Sequence, residues 1–222
     1  RPDVAATGQG AVDASITRGD LAQAERWIAE AERSGDPAVW RARRYALAKR
    51  TAEVSLGGPE RDRARAIESL TRALEGAPPA EVARVSQDLA RVAGEEAEER
   101  AAHGEIVAAR QLLGDVRKRV DASGAAILAR ASKRIEFQAG RSGRETGQWE
   151  AARAAFLASL AGDDALQQTE SREAEVGVVE TSARMGDWDG LVDFVRQRRL
   201  APGPAYLEGC AASIAAGWRA AG

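Results

Sequence analysis

A register of small and large apolar residues repeats along the chain, and it constrains the fold more than any other feature. The anchor of each copy is a small or apolar residue, which in four copies stands five positions after a glycine. The anchors are Ala24, Ala66, Ala109, Ala152 and Leu191, and they lie 42, 43, 43 and 39 residues apart. Four positions after each anchor stands a large apolar residue: Ile28, Leu70, Leu113, Phe156 or Val195. A period of about 40 residues is typical of helical repeat arrays.

The spacing within each copy predicts an amphipathic helix. The residue seven positions after the anchor is small or of modest size in the first four copies and charged in the fifth: Ala31, Ala73, Val116, Ser159 and Arg198. Steps of four and three residues place all three positions on one helical face. The segment 147–156, Gly-Gln-Trp-Glu-Ala-Ala-Arg-Ala-Ala-Phe, is the most complete copy and predicts a tight turn that leads into such a helix.

The composition favours an all-α chain. The 222 residues are rich in Ala, Arg, Glu and Leu, which are good helix formers, and no segment alternates apolar and polar residues as a strand does. We therefore expect a single domain over 1–222, a right-handed α-solenoid of about five antiparallel helical hairpins plus a C-terminal helix. The expected hairpins cover 10–34, 36–77, 79–120, 124–161 and 164–201, and the terminal helix covers 204–221.

Turn-forming residues mark the expected helix boundaries. Residues 1–10 are expected to form a frayed end or a weak first turn before a short helix over 11–18. A break at Asp121–Gly124 precedes an expected helix over 125–139, which Gly140–Gly143 weakens or ends. Other expected helices cover 37–56, 79–102 and 165–185, and one begins near Glu60.

The repeat resembles the tetratricopeptide (TPR) family over most of residues 10–200. The features that carry the resemblance are the turn glycine, a large residue two positions later, the anchor alanine and the large apolar residue after it. The segment 66–74, Ala-Ile-Glu-Ser-Leu-Thr-Arg-Ala-Leu, followed by Pro78, resembles the second helix and closing proline of a TPR motif. The pair Ala139-Gly140 resembles the small pair of its first helix. The resemblance implies stacked hairpins whose first helices line a concave, protein-binding surface.

Two features depart from the family pattern. The usual TPR period is about 34 residues, whereas this chain repeats every 39–43 residues, with the extra length in the first helices and linkers. The Lys and Asn that clamp a peptide carboxylate in this family, ten and six residues before the turn glycine, are also missing. Those positions hold Gln9 and Asp13, Gly94 and Glu98, Phe137 and Arg141, and Val176 and Glu180. A chaperone-tail binder of that kind is therefore not expected.

No pattern in the sequence indicates catalysis or a bound cofactor. The single histidine, His103, follows an acidic stretch at 95–99, and Glu99 shares a helical face with it. Helical di-iron sites need Glu-x-x-His pairs from several helices, so a solvated acidic face is the better interpretation. The chain has no glycine-rich phosphate loop and no Gly-x-Ser-x-Gly motif. We expect no catalytic residue, cofactor or metal ion, and a buried structural role for the lone Cys210.

Charge and hydropathy argue against two further classes of function. The net charge is −2, with 32 basic and 34 acidic residues interspersed, whereas a generic nucleic-acid binder needs excess positive charge on one face. The basic clusters at 41–50, 117–119, 133–144 and 196–199 fall on both first and second helices, so no single basic stripe is expected. No stretch approaches the roughly 18–20 apolar residues of a membrane span. The chain begins with Arg1, so a cytoplasmic and an exported, periplasmic location both stay open.

These observations predict a non-catalytic scaffold, adaptor or assembly subunit of a larger complex, which binds a protein partner on its concave face. A regulatory or sensor module of a longer protein is the alternative, and a helical enzyme is a less favoured one. Trp, Tyr and Arg dominate the hot spots of protein interfaces. Trp40, Arg41, Arg44 and Tyr45, on an expected first helix, therefore form the predicted partner-contact patch.

Overall fold

The protein is all-α in the parts that the structure describes. The computed structural model describes residues 2–34, 36–57, 61–162, 166–198 and 215, within which it has ten α-helices and no strand. The helices are α1 (Pro2–Arg18), α2 (Leu21–Ser34), α3 (Pro37–Gly57), α4 (Arg63–Gly76), α5 (Val82–Ala102), α6 (Ile106–Arg117), α7 (Ala122–Glu145), α8 (Trp149–Ser159), α9 (Gln168–Met185) and α10 (Trp188–Arg198). The all-α class expected from the composition is therefore confirmed.

The chain divides into two compact units. Unit 1 comprises Arg1–Glu96 and Gly114–Leu128, and unit 2 comprises Ala97–Leu113 and Ala129–Gly222. In unit 1, α2 packs against α1 and α3, and α3 also packs against α4. In unit 2, α9 packs against α8 and α10. Helices α5, α6 and α7 each have residues in both units.

One turn geometry recurs at four of the five repeat copies. The turn glycines Gly19, Gly104, Gly147 and Gly186 have φ between 72° and 84°. In each turn the N–H of the residue after the glycine donates to the carbonyl five residues earlier, at 2.8–3.0 Å. The glycine N–H donates to the carbonyl three residues earlier, at 3.0–3.3 Å. Together these bonds form a Schellman-type helix ending, which a residue without a Cβ adopts at the lowest cost.

The apolar register faces the interior of the units. In all five copies the anchor N–H donates to the carbonyl four residues earlier, at 2.9–3.1 Å, which closes the first turn of the new helix. The four anchor alanines are 0% exposed and Leu191 is 8% exposed. The large residue four positions later is buried in the first four copies, and Val195 in the fifth is half-buried. The same short pattern therefore produces the same turn and the same buried stripe along the chain.

An apolar cluster in unit 2 surrounds Phe156, which is completely buried. Its ring centroid lies 6.3 Å from that of Phe137, and buried side chains of α9 and α10 complete the cluster. A Cβ added at Gly140 would lie 2.5 Å from Cδ1 of this ring, and one added at Gly177 would overlap the ring. The two glycines therefore provide the space that the aromatic side chain occupies between α7 and α9.

Helix α7 is continuous from Ala122 to Glu145, so the prediction that it ends at Gly140–Gly143 is wrong. The physical reason is the packing of α8 against this part of α7. Gly140 accommodates the ring of Phe156, and a Cβ added at Gly143 would lie 3.0 Å from that of Ala152. Close helix contact thus compensates for the roughly 1 kcal/mol that a glycine costs relative to alanine inside a helix.

The expected break between α6 and α7 is present, but α7 starts at Ala122 and not at residue 125, because Asp121 caps the helix. Its Oδ1 accepts hydrogen bonds from the N–H groups of Ser123 and Gly124, each at 3.0 Å. The Ser86 hydroxyl on α5 donates to the same oxygen at 2.9 Å and accepts from the Asp121 N–H at 2.8 Å. A Cβ added at Gly124 would lie 2.7 Å from Ser86 Oγ, so glycine permits this approach of α7 to α5.

Helix α1 starts earlier than expected. It runs without interruption from Pro2 to Arg18, so the prediction of a frayed end or a weak first turn over residues 1–10 is wrong. A proline in the first turn is compatible with a helix because its missing N–H would have no helical partner there.

Two other helices start later than expected. Helix α4 starts at Arg63 and not near Glu60, because Asp62 Oδ1 accepts from the Arg65 N–H at 2.9 Å and caps the helix. Helix α9 starts at Gln168. The Gln167 N–H just before it donates a hydrogen bond to the Glu170 carboxylate at 2.8 Å, which caps the first turn. The expected terminal helix and Cys210 lie outside the described residues.

Candidate binding cleft

A cleft of about 600 Å³ opens in unit 1 between α2, α3 and α4. Its apolar part consists of Leu21, Ile28 and Leu47, with the small residues Ala22 and Ala29 beside them. The two alanines are exposed, and Ile28 is buried as the second position of the first repeat copy. The cleft therefore combines an apolar floor with small residues that allow another chain to approach closely.

A smaller recess of about 220 Å³ shares Leu21, Thr51 and Arg65 with this cleft. It adds Val54, which is 51% exposed and is one of the large apolar side chains that the fold leaves on the surface. The apolar surface accordingly continues beyond the main cleft along α3.

The rim of the cleft carries four glutamates and four arginines. The glutamates are all paired: Glu25 with Arg72 at 3.7 Å, Glu32 with Arg44 at 2.7 Å, Glu68 with Arg72 at 2.6 Å, and Glu75 with Arg119 at 3.6 Å. Within the described ranges, neither Arg41 nor Arg65 has an acidic partner within 4.0 Å, and both are exposed. Among the described residues, Arg41 and Arg65 are therefore the cleft side chains whose charge is open to a ligand of opposite sign.

The structure brings two of the four residues of the predicted partner-contact patch into this cleft. Arg41 and Arg44 both line it. Trp40 does not, because it is only 5% exposed and packs in a core cluster with Val12, Ala24 and Ile28. Trp40 as a partner contact is therefore corrected to a core residue of unit 1.

Tyr45 lies outside the cleft and belongs to a polar group between α3 and the start of α5. Its hydroxyl donates to Glu81 Oε2 at 3.1 Å, and Lys49 Nζ lies 3.7 Å from the same oxygen. Burial and the hydrogen bond to Glu81 raise the pKa of the Tyr45 hydroxyl above its ordinary value. This tyrosine therefore stays neutral and links two helices of the unit.

The basic cluster at 41–50 is largely neutralised by acidic residues within unit 1. Arg43 pairs with Asp13 at 3.0 Å, and Arg50 pairs with Glu53 at 2.9 Å. The same holds in unit 2, where Glu173 pairs with both Arg141 and Arg144 of the cluster at 133–144, each at 3.3 Å.

His103 and the acidic stretch before it make contacts at the end of α5. His103 is exposed, and its Nδ1 lies 2.9 Å from the main-chain carbonyl oxygen of Glu99. The carboxylates of the stretch face arginines: Glu95 lies 3.2 Å from Arg91, and Glu98 lies 3.2 Å from Arg134. These side chains remain partly exposed, so their ion pairs are compatible with the solvated acidic face expected from the sequence. In the part of the chain described here, no three His, Cys, Asp or Glu side chains cluster as metal ligands would.

The predicted contact patch includes neither Arg65 nor the cleft walls that α2 and α4 contribute. All four of its residues lie on α3, whereas α2 and α4 also line the cleft. The exposed alanines Ala22 and Ala29, seven residues apart on one face of α2, were the available signal.

The chain matches no protein-family model, and it shows no significant similarity to a curated protein or to a solved structure. None of the helices in the described ranges has both the length and the apolar character that crossing a membrane requires.

Proposed function

We propose that the chain is a non-catalytic protein-binding scaffold, an adaptor or assembly subunit built from TPR-like antiparallel hairpins stacked as an α-solenoid. The observation that carries the proposal is the recurrence of one glycine turn at Gly19, Gly104, Gly147 and Gly186, each followed by a buried anchor. Repeated turns of this kind join helix pairs that cannot bury their apolar faces alone and so stack on their neighbours. Such arrays expose a long concave surface, lined by first helices, on which a protein partner is held.

The cleft of unit 1 supports a binding role over a catalytic one. Its charged side chains are arginines and glutamates, most of them paired, with an apolar floor beneath them.

The stacked array is tested by small-angle X-ray scattering of the purified chain. An α-solenoid is expected to give an elongated distance distribution, whereas a compact 222-residue domain has a radius of gyration near 17 Å. A profile of the compact kind would contradict the solenoid.

The scaffold role is tested by capturing proteins with the tagged chain from its source cell and then reconstituting the complex. We expect a captured protein, once purified, to form a complex of fixed stoichiometry by isothermal titration calorimetry. The absence of any reconstituted complex, together with turnover of a small molecule by the pure chain, would contradict the proposal.

A further inference from the structure

We propose that the cleft between α2, α3 and α4 binds an acidic amphipathic helix of a partner protein. This inference rests on the proposed protein-binding function. It places one docking site on a surface built mainly from second helices, apart from the concave face that first helices line.

The charge of the cleft selects an acidic ligand. Its four glutamates already have arginine partners. Arg41 and Arg65, in contrast, have no acidic partner among the described residues. An acidic ligand therefore gains two charge-assisted hydrogen-bond donors, Arg41 and Arg65, whereas a basic ligand meets only glutamates that already face an arginine.

Arg41 and Arg65, which lack an acidic partner among the described residues, have their backbones at opposite ends of the cleft. Arg65 is in the first turn of α4, and the carbonyl oxygen of Arg41 would lie 3.5 Å from a Cβ at Gly76, the last residue of α4. Eleven residues separate Arg65 from Gly76, which corresponds to about 16 Å along the helix axis. Acidic side chains about 11 residues apart on a bound helix would match this distance, and they share one face because 11 residues make about three turns.

The volume and the lining of the cleft fit a half-inserted helix. Half of a helix about 16 Å long and about 10 Å across occupies about 600 Å³, which is the volume of the cleft. An amphipathic helix in a groove places its apolar face on the floor and its polar face outside. Leu21, Ile28 and Leu47 provide that floor, and the exposed alanines of α2 leave room for the incoming side chains.

The ion pair between Glu25 and Arg72 joins α2 to α4, the two walls of the cleft, at 3.7 Å. Both side chains are more than half exposed. Exposed pairs of this kind contribute only about 0–1 kcal/mol, so a ligand that enters the cleft can separate them at little cost.

The test is a selection from a phage-displayed library of random peptides about 16 residues long, with the intact chain as target. We expect the selected peptides to carry Asp or Glu about 11 residues apart and apolar residues at helical spacing between them. Affinity should fall at least about tenfold for the double variant R41E/R65E. Replacing the peptide's two acidic residues by Lys should restore binding to that variant. Ala29→Trp, which fills the cleft without changing charge, should weaken binding to a similar extent.

The matched control is R26E/R117E, which makes the same charge change at two exposed arginines of unit 1 that do not line the cleft. It should leave affinity within about twofold, and circular dichroism should show that all variants stay folded. Three results would overturn the cleft proposal. They are selection of no peptide, selection of peptides without acidic residues, and binding that survives both R41E/R65E and Ala29→Trp. A captured protein partner that still binds the two cleft variants would show that the scaffold role stands while the cleft proposal fails.

Discussion

At the scale of single residues, the position of Phe156 between two glycines makes helix propensity a poor guide to stability. Alanine normally stabilises a helix by about 1 kcal/mol relative to glycine. At Gly177 the added Cβ would overlap the Phe156 ring, and Gly140 blocks the ring from moving the other way. We expect Gly177→Ala to lower the free energy of unfolding by about 1–3 kcal/mol, as overpacked cores do. Urea denaturation followed by circular dichroism measures the change.

The control for this prediction is Gly114→Ala, because a Cβ at Gly114 has no neighbour within 4 Å and this glycine lies inside α6. That variant should stabilise the protein by up to about 1 kcal/mol. The double variant with Phe156→Leu should recover part of the loss at Gly177. Equal stabilisation by both alanine substitutions would show that the ring does not fill the space as described.

Asp121 should make the free energy of unfolding depend on pH in the acidic range. Hydrogen bonds from Gly124, Ser123 and Ser86 lower the pKa of its carboxyl from 3.8 to about 2. A lowered pKa in the folded state means that the contribution to stability is complete above the unfolded value and is lost as pH falls from about 4 towards 2. The melting temperature of Asp121→Asn should therefore lie below that of the wild type at pH 6, and the two should converge at low pH.

The comparison variant for this acid dependence is Asp88→Asn, whose carboxylate makes a surface ion pair with Arg91 at 3.6 Å. It should follow the wild-type melting curve closely at each pH, because such pairs contribute about 0–1 kcal/mol. A constant difference between the wild type and Asp121→Asn from pH 6 to pH 2 would contradict the assignment.

At the scale of the helix, substitution of a turn glycine measures the free energy that the left-handed backbone conformation at a helix end costs another residue. Gly104 has a φ of 84°, and a Cβ there would meet nothing within 4 Å. Gly104→Ala should thus destabilise the protein by about 1–2 kcal/mol through the left-handed conformation alone. Gly104→Asn should cost less, because asparagine tolerates this region. Thermal unfolding measures the order Gly, Asn, Ala; an alanine variant as stable as the wild type would show that the turn is not left-handed.

Elements whose signals are local could be predicted from the sequence. The turn glycines and the buried anchors follow from a backbone preference and a helical period, each of which acts over fewer than ten residues. The position of Gly140 inside a continuous helix could not be predicted, because it depends on contact with the Phe156 ring, which also contacts Gly177 in another helix. The start of α4 is set by the Asp62 cap. It could not be predicted from Gly57, Gly58 and Pro59, which indicate only where the preceding helix ends.

The candidate site shows the same division. Arg41 and Arg44 were predicted because arginine on an exposed helix is a common interface residue. Trp40 was misplaced because burial on α3 depends on how α1 and α2 pack against it. The availability of Arg41 and Arg65 depends on which arginines the glutamates of the rim engage, and that pairing is set by tertiary structure.

At the scale of the whole molecule, the interspersed charges predict that the chain does not bind nucleic acid. Both units pair basic clusters with acidic side chains: Arg43 with Asp13, and Arg141 and Arg144 with Glu173. A protein that contacts six or more phosphates loses about 10³-fold in affinity between about 50 and 200 mM salt, and such contacts need unpaired Lys and Arg on one face.

Fluorescence anisotropy with labelled single-stranded and double-stranded oligonucleotides, at about 50 mM salt, tests this prediction where electrostatic binding is strong. No saturable binding is expected. The variant R41E/R65E serves as the comparison, because it removes the two exposed cleft arginines that lack an acidic partner among the described residues. Tight binding that weakens steeply with salt and is lost in this variant would reassign the cleft to a phosphate backbone. Binding that the variant leaves intact would instead place a basic surface elsewhere, and either result would contradict the charge argument.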